Sequence, residues 1–347
     1  MKSRTRKQLL LIVGLVILLG IAILLSISLG SVNIPFRNVV SVLMGGETEK
    51  TTWETIILQF RLPKLITALL VGAALAVSGL QMQTLFQNPL ADPYILGISS
   101  GASLGVAIVV LINGTTGTIL LAGIGLLGDL SIAAAASVGS AIVLLLVLFV
   151  SRNTRNTTTI LLIGLMLGYI TSAIVSLLMY FSMPERIQTY ISWTFGSFAG
   201  VSWSQIKILV PAIFLGLFIA FMMSKPLNAL LLGERYAQSL GMNITSVRAM
   251  IILSASLLSG ITTAFCGPIG FLGIAIPHLN RKIFNTSDHK ILIPSCLLTG
   301  GIIAIAADII SQLPGHQYTL PINAVTSLIG VPIVLWVLLR NQRRTEP

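Results

Sequence analysis

The sequence predicts an all-α polytopic membrane protein, and three observations point there. Of the 347 residues, 55% are hydrophobic and 9% charged, against about 25% charged in a soluble domain. The mean hydropathy is +0.96, so the chain cannot clothe an ordinary water-facing surface. Its apolar residues gather in uncharged runs, and a bilayer core of about 30 Å takes roughly 20 residues of helix to cross.

About ten such runs occur, at 9–29, 65–85, 94–112, 130–150, 160–181, 208–223, 249–265, 271–279, 291–310 and 320–339. The first follows Lys2, Arg4, Arg6 and Lys7. Its apolar part exceeds the usual 7 to 15 residues of a secretory signal and lacks a clear small-x-small cleavage site, so it is expected to stay as a span. The second must end at Gln87-Asn88-Pro89-Leu90-Ala91-Asp92-Pro93, because each proline removes a backbone donor and disfavours helix in the residue before it. In the third, Gly97, Gly101 and Gly105 recur every fourth residue, and Gly164, Gly168, Ser172 and Ser176 do so in the fifth. That spacing lets helix backbones approach closely in lipid. The eighth run, bounded by Gly267-Pro268 and Pro277, is too short to cross and predicts a half-helix or re-entrant piece.

Charge placement sets the topology. With ten crossings and both termini cytoplasmic, the inner face collects Lys2, Arg4, Arg6, Lys7, Arg152, Arg155, Lys225, Arg235, Arg248, Arg281, Lys282, Lys290, Arg340, Arg343 and Arg344. The outer face holds only Arg37, Lys50, Arg61, Lys64, Arg186 and Lys207, matched by Glu47, Glu49, Glu54, Asp129, Glu185 and Asp308. This is the positive-inside distribution. The net charge of +11 therefore reports topology, and no nucleic-acid partner is expected. No polar linker divides the chain, which predicts a single membrane domain over 1–347.

Several chemistries are disfavoured. No ionisable residue sits at the middle of a span, where an ion-coupled carrier would keep one. No Gly-Lys dipeptide exists, so a phosphate-cradling GxxxxGK[ST] loop is absent and any ATP hydrolysis must belong to another subunit. No span offers a base to activate a serine, so no catalytic residue is expected. Cys266 and Cys296 have no CxxC spacing, and His278, His289 and His316 are not at ligand spacing, so no metal site is expected either.

The longest inner loop, 224–248, contains two short helical stretches punctuated by Gly233 and Gly241. Leu230, Leu231, Tyr236 and Leu240 would form an apolar cytoplasmic patch on them. Such a patch suits a docking partner, although packing on the protein's own bundle explains it equally well.

Specific motifs go further. The run Arg61-Leu62-Pro63-Lys64, then 72–79 (Gly-Ala-Ala-Leu-Ala-Val-Ser-Gly), Gln83, 88–93 (Asn-Pro-Leu-Ala-Asp-Pro) and 96–102 (Leu-Gly-Ile-Ser-Ser-Gly-Ala) resembles the permease subunit of iron-siderophore, haem and cobalamin ABC importers, the FecCD-type, type II family. The later stretches 267–278, Asp288-His289-Lys290, Ala307-Asp308 and Leu320-Pro321-Ile322-Asn323 agree in order. The match runs from about residue 60 to the C-terminus.

The resemblance implies ten helices per subunit and two permease subunits side by side, expected as a homodimer in the cell membrane. It also implies two cytoplasmic ATPases, which would hold the ATP and Mg, and an external substrate-binding protein. The expected cargo is an iron-siderophore, with haem or cobalamin as alternatives and an ion-coupled carrier as the remote one. By the same resemblance, the segment at about 227–243, with Leu230, Leu231, Glu234, Arg235, Tyr236, Leu240 and Gly241, would couple to the ATPase. Asn88, Leu90, Thr157 and Thr158 would close the cytoplasmic gate. Arg61 and Lys64 would dock the binding protein as an outer positive pair, and Gln312 stands where the family carries another outer basic residue.

Overall fold

The apolar runs fold into helices, in chain order α1 (Lys2–Ser28), α2 (Phe36–Leu43), α3 (Thr51–Thr55), α4 (Leu62–Leu85), α5 (Ile98–Leu111), α6 (Asp129–Asn153), α7 (Thr157–Tyr180) and α8 (Pro184–Thr194). They continue as α9 (Trp203–Met222), α10 (Ser224–Leu230), α11 (Glu234–Ser239), α12 (Ile244–Cys266), α13 (Leu272–Phe284), α14 (His289–Ser311) and α15 (Ile322–Gln342). This computed structural model describes residues 2–30, 32, 34–46, 50–112, 129–154, 157–312 and 319–342. Glu47, Glu49, Arg155, His316, Arg343 and Arg344, used above in the charge and ligand arguments, lie outside the described residues. Seven helical stretches are long and apolar enough to cross a bilayer, and Ile98–Leu111 and Ile322–Leu335 are shorter apolar helices. The chain is a multi-pass membrane protein.

Helix α4 is the axis. Every residue from Val71 to Leu85 is buried, whereas only 17% of the corresponding window of α1 is. Around α4 pack α9, α12, α13 and α14. The approach of α14 is possible because Gly72 and Gly300 face one another, so that a Cβ on either would overlap the other's carbonyl. In the same way Gly79 admits the backbone of α13 at Gly273. Small residues thus replace the hydrophobic drive that lipid does not supply.

The turn Ile56–Arg61 is π-helical and joins α3 to α4 without a break. Pro63 cannot donate into this turn, and the Leu58 carbonyl instead accepts the Trp203 indole N–H at 3.0 Å. A second group of helices, α5 to α8, packs beside this core, with α5 and α6 in close contact. A Cβ on Gly101 would lie 2.6 Å from the Gly139 carbonyl oxygen, so the four-residue spacing of the third run does bring two backbones together.

Three boundaries differ from the sequence expectation. The third run is helical only from Ile98, because Asp92 and Pro93 open a 3-10 turn, Pro93–Leu96, that ends on a left-handed Gly97. Helix α13 passes through Pro277 and ends at Asn285 with φ +47°, and at about 1.5 Å per residue it still falls short of a crossing. Proline is tolerated there because the carbonyl it frees, that of Gly273, accepts the Gln83 amide at 3.3 Å. Finally, α8 was not expected: it is eleven residues long and carries Glu185 and Arg186, so hydropathy does not reveal it.

Candidate functional site

The inner loop forms the predicted helical hairpin. Helix α10 ends at Leu230, and Gly233, at φ +103°, lets the chain reverse into α11. Gly241, at φ +81°, turns it again into α12. Both values lie in the left-handed half of backbone space that glycine enters freely.

Leu231, Tyr236 and Leu240 are exposed, as expected, and so is Leu232, which the sequence reading did not single out. Leu230 corrects the expectation. It is buried among Met82, Leu85, Leu227 and Ala237, because α10 turns that edge toward the end of α4. Arg235 and Gly241 are exposed, and Glu234 is half-buried.

Beside the hairpin lies a cleft of about 600 Å³, walled by Thr84 to Gln87 at the end of α4, Thr157 and Thr158 at the start of α7, and Leu230 and Leu232 to Tyr236 of the hairpin. Two of the expected gate residues and four of the expected coupling residues do not merely share a face of the membrane: Thr157 and Thr158 line this cleft, as do Leu230, Glu234, Arg235 and Tyr236. Asn88 and Leu90 are not in its lining. They sit on the turn just beyond, where the Asn88 side-chain oxygen accepts the Leu90 N–H at 2.9 Å and Leu90 is exposed. Gln87, at φ +48°, ties this turn to the hairpin by donating its amide to the Leu230 carbonyl at 3.1 Å. Farther along, the Asp92 carboxylate accepts the Tyr94 N–H at 2.8 Å. Burial pushes the Asp92 carboxyl up to about 6, and the Tyr94 bond opposes that rise.

Two buried polar links, missed from sequence, hold the hairpin to the bundle. His289 is linked to Asn228 on α10 and to Thr84 on α4. Arg248 is linked to Glu234 on α11 and to the Thr154 carbonyl before α7. A third link joins the α4 end to α13, where Arg281 donates to the Gln83 side-chain oxygen. The only sequence signal for any of them was polarity next to an apolar run.

At the opposite end, the expected outer pair is not a free positive patch. Arg61 is 6% exposed, and its guanidinium donates to the carbonyls of Ile27 at 2.6 Å, Ser28 at 3.0 Å and Val32. It caps the C-terminus of α1, where unpaired carbonyls favour a cation. Lys64 is paired with Asp308 at 3.3 Å, and Gln312 donates to the same carboxylate at 2.7 Å. Charge counting placed these residues on a face but could not reveal these internal partners. No cluster of three or more potential metal ligands occurs among the described residues.

The comparisons with known proteins agree in extent. A model of the FecCD transport family matches residues 18–340. The chain is 36% identical over 331 residues to the vitamin B12 import system permease protein BtuC of Klebsiella pneumoniae, covering 95% of this chain and 94% of that one. It is 38% identical over 290 residues to BtuC of Citrobacter koseri, covering 84% of each. Among solved structures, an inward-facing conformation of a metal-chelate type ABC transporter superposes with a TM-score of 0.81 at 29% identity, covering 95% of this chain and 99% of that one.

Proposed function

This chain belongs to the FecCD transport family, and from that premise we propose that it is the membrane-spanning permease subunit of an ATP-binding-cassette importer for a metal chelate. The observation that carries the reading is the inner hairpin, which presents Leu231, Leu232, Tyr236 and Leu240 to the cytoplasm while its other side is bonded to the elements that bear the expected gate residues. A separate pair of ATPases, holding ATP and Mg, grips that surface. Their closure moves the hairpin and changes the state of the gate at Asn88, Leu90, Thr157 and Thr158. This chain hydrolyses nothing itself and works as a single domain beside a second permease subunit, an identical copy. The long helices, the two shorter apolar ones, and α13 together with the non-helical stretch 267–271 before it supply ten passes, with both termini on the cytoplasmic side, in keeping with the basic clusters there.

An external binding protein delivers the cargo to the outer rim. Because Lys64 is already paired, docking there requires it to exchange Asp308 for a carboxylate of the partner, while Arg61 stays in its structural role. Among cargoes, the name of the relatives favours cobalamin over the iron-siderophore expected from sequence.

The test is reconstitution of the permease with its ATPase and binding protein in liposomes. ATP-dependent uptake of radiolabelled cyanocobalamin, with ferric siderophore and haem as competitors, is the expected result. Accumulation by the permease alone on an ion gradient overturns the reading. Preferential uptake of the ferric siderophore keeps the importer and replaces the cargo.

A further inference from the structure

Helix α10 packs on the end of α4 through Leu230, beside Met82 and Leu85, but an open cleft of about 600 Å³ lies between the hairpin, the end of α4 and the start of α7, so packing alone does not oblige both gate elements to follow the hairpin. Two polar connections add to that packing, and each leads to a different gate element.

The first passes through His289, which is 1% exposed. The Asn228 side-chain amide of α10 donates to Asp288 at 2.6 Å. Its oxygen, therefore directed at His289, accepts both the His289 backbone N–H at 2.8 Å and the ring Nδ1–H at 2.7 Å. With the proton on Nδ1, the ring Nε2 is an acceptor for the Thr84 hydroxyl, 2.8 Å away, which it shares with the Leu80 carbonyl at 2.9 Å. Thr84 lies in the last turn of α4, immediately before the turn that carries Asn88 and Leu90. The Gln87 bond to Leu230 closes the same link from the other side.

The second passes through Arg248, which is 3% exposed. One guanidinium nitrogen donates to Glu234 of α11 and the other to the carbonyl of Thr154, each at 2.8 Å. Thr154 lies just ahead of Thr157 and Thr158. A guanidinium can bridge two acceptors in fixed directions, which an ammonium on a flexible stem does less well. Breaking either link strands buried polar groups in a low-dielectric setting, which makes the connections stiff.

We propose that His289 and Arg248 are positioning residues that lock the two helices of the hairpin to the two gate elements, so that α10 carries the end of α4 and α11 carries the start of α7. The proposal rests on the permease reading above and specifies how that same site transmits motion. A merely structural role would lower the amount of folded protein. A transmitting role lowers the cargo moved per ATP.

The experiment uses the full complex with its ATPase and binding protein in proteoliposomes, and compares wild type with Thr84→Val, Arg248→Gln and Arg248→Lys. Co-purification of the ATPase, ATP hydrolysis, and uptake of radiolabelled cyanocobalamin and of a radiolabelled ferric hydroxamate are measured together. Thr84→Val and Arg248→Gln are expected to keep the ATPase bound and hydrolysing, while uptake per ATP falls about tenfold, the change in an equilibrium that loss of one buried hydrogen bond produces. Arg248→Lys should fall between them and wild type. If Arg248→Gln does not fold, the Thr84 and Lys variants carry the test. Wild-type uptake per ATP in those two, or a parallel fall in uptake and hydrolysis, overturns the proposal. If the wild-type complex takes up neither probe with ATP, the permease reading itself fails, and the two failures are thus distinct.

Discussion

Replacing Gln83 by Leu should destabilise the protein in a way that removing Pro277 partly reverses. Gln83 is buried. Its amide serves the carbonyls of Gly273 and Ile274, both at 3.3 Å, and its oxygen receives the Arg281 guanidinium. A buried acceptor left unpaired costs about 1–3 kcal/mol and a bond to a charged group is worth about 1.5–3 kcal/mol, so Gln83→Leu should cost about 4 kcal/mol. The Gly273 carbonyl needs Gln83 only because residue 277 has no N–H to offer it. In Pro277→Ala the backbone supplies that donor. The substitution should therefore gain about 1–2 kcal/mol more in the Gln83→Leu background than in wild type, the worth of one satisfied acceptor. The four proteins form a double-mutant cycle, read by denaturant titration in detergent micelles. Distant, independent sites add to within about 0.5 kcal/mol, so additivity at that level would refute the exchange of partners across α4 and α13.

Other tests follow from the same description. Tyr236→Glu or Leu240→Glu puts a charge on the apolar cytoplasmic surface of the hairpin and should release the ATPase in a pull-down; unchanged association would count against the coupling assignment. Gly101→Ala places a Cβ 2.6 Å from the Gly139 carbonyl oxygen, against ordinary contact beyond 3.4 Å, and should cost about 1–3 kcal/mol by overpacking. Gly14→Ala, with open space around it, should show no such loss, and equal melting temperatures for the pair would contradict the packing. Asp92 titrates at about 6 in the folded protein against an ordinary value of 3.8, so between those values the folded state holds the extra proton and stability falls as pH rises. Asp92→Asn keeps the acceptor for the Tyr94 N–H and should flatten the melting temperature between pH 4 and 6, the window set by those two values; a slope that survives the substitution would assign it to another group.

Much of the fold was legible because its signals are local. The stop at Gln87 to Pro93, the glycines at 233 and 241 and the four-residue spacing from Gly97 each act within a few residues of where they are read. What escaped depends on partners far along the chain. Helix α13 runs through Pro277 because a side chain 190 positions away donates to the freed carbonyl. Leu230 looked exposed because a helix of seven residues does not tell which of its edges faces the bundle. Arg61 and Lys64 were placed on a membrane face by charge counting, but a count contains no information about Ile27 or Asp308. His289 and Arg248 were visible only as polar residues at the ends of apolar runs, and their roles emerge when Asn228, Thr84, Glu234 and Thr154 arrive beside them.

The wide turn at Ile56–Arg61 makes the thirty-five-residue helix tolerant of length. Such a turn holds one residue more than an α-helical one, so deleting a single residue within it should restore ordinary winding. Everything after Leu62 would keep its register against α14, and the five residues of α3 would keep their azimuth as well, because a wide turn absorbs its extra residue without changing the phase of the helix on either side. Trp53, with Lys50 over its ring, would then stay packed against the core, and the loss of one residue in this segment would shorten the outer end of the helix without re-aiming it or disturbing the axis beneath.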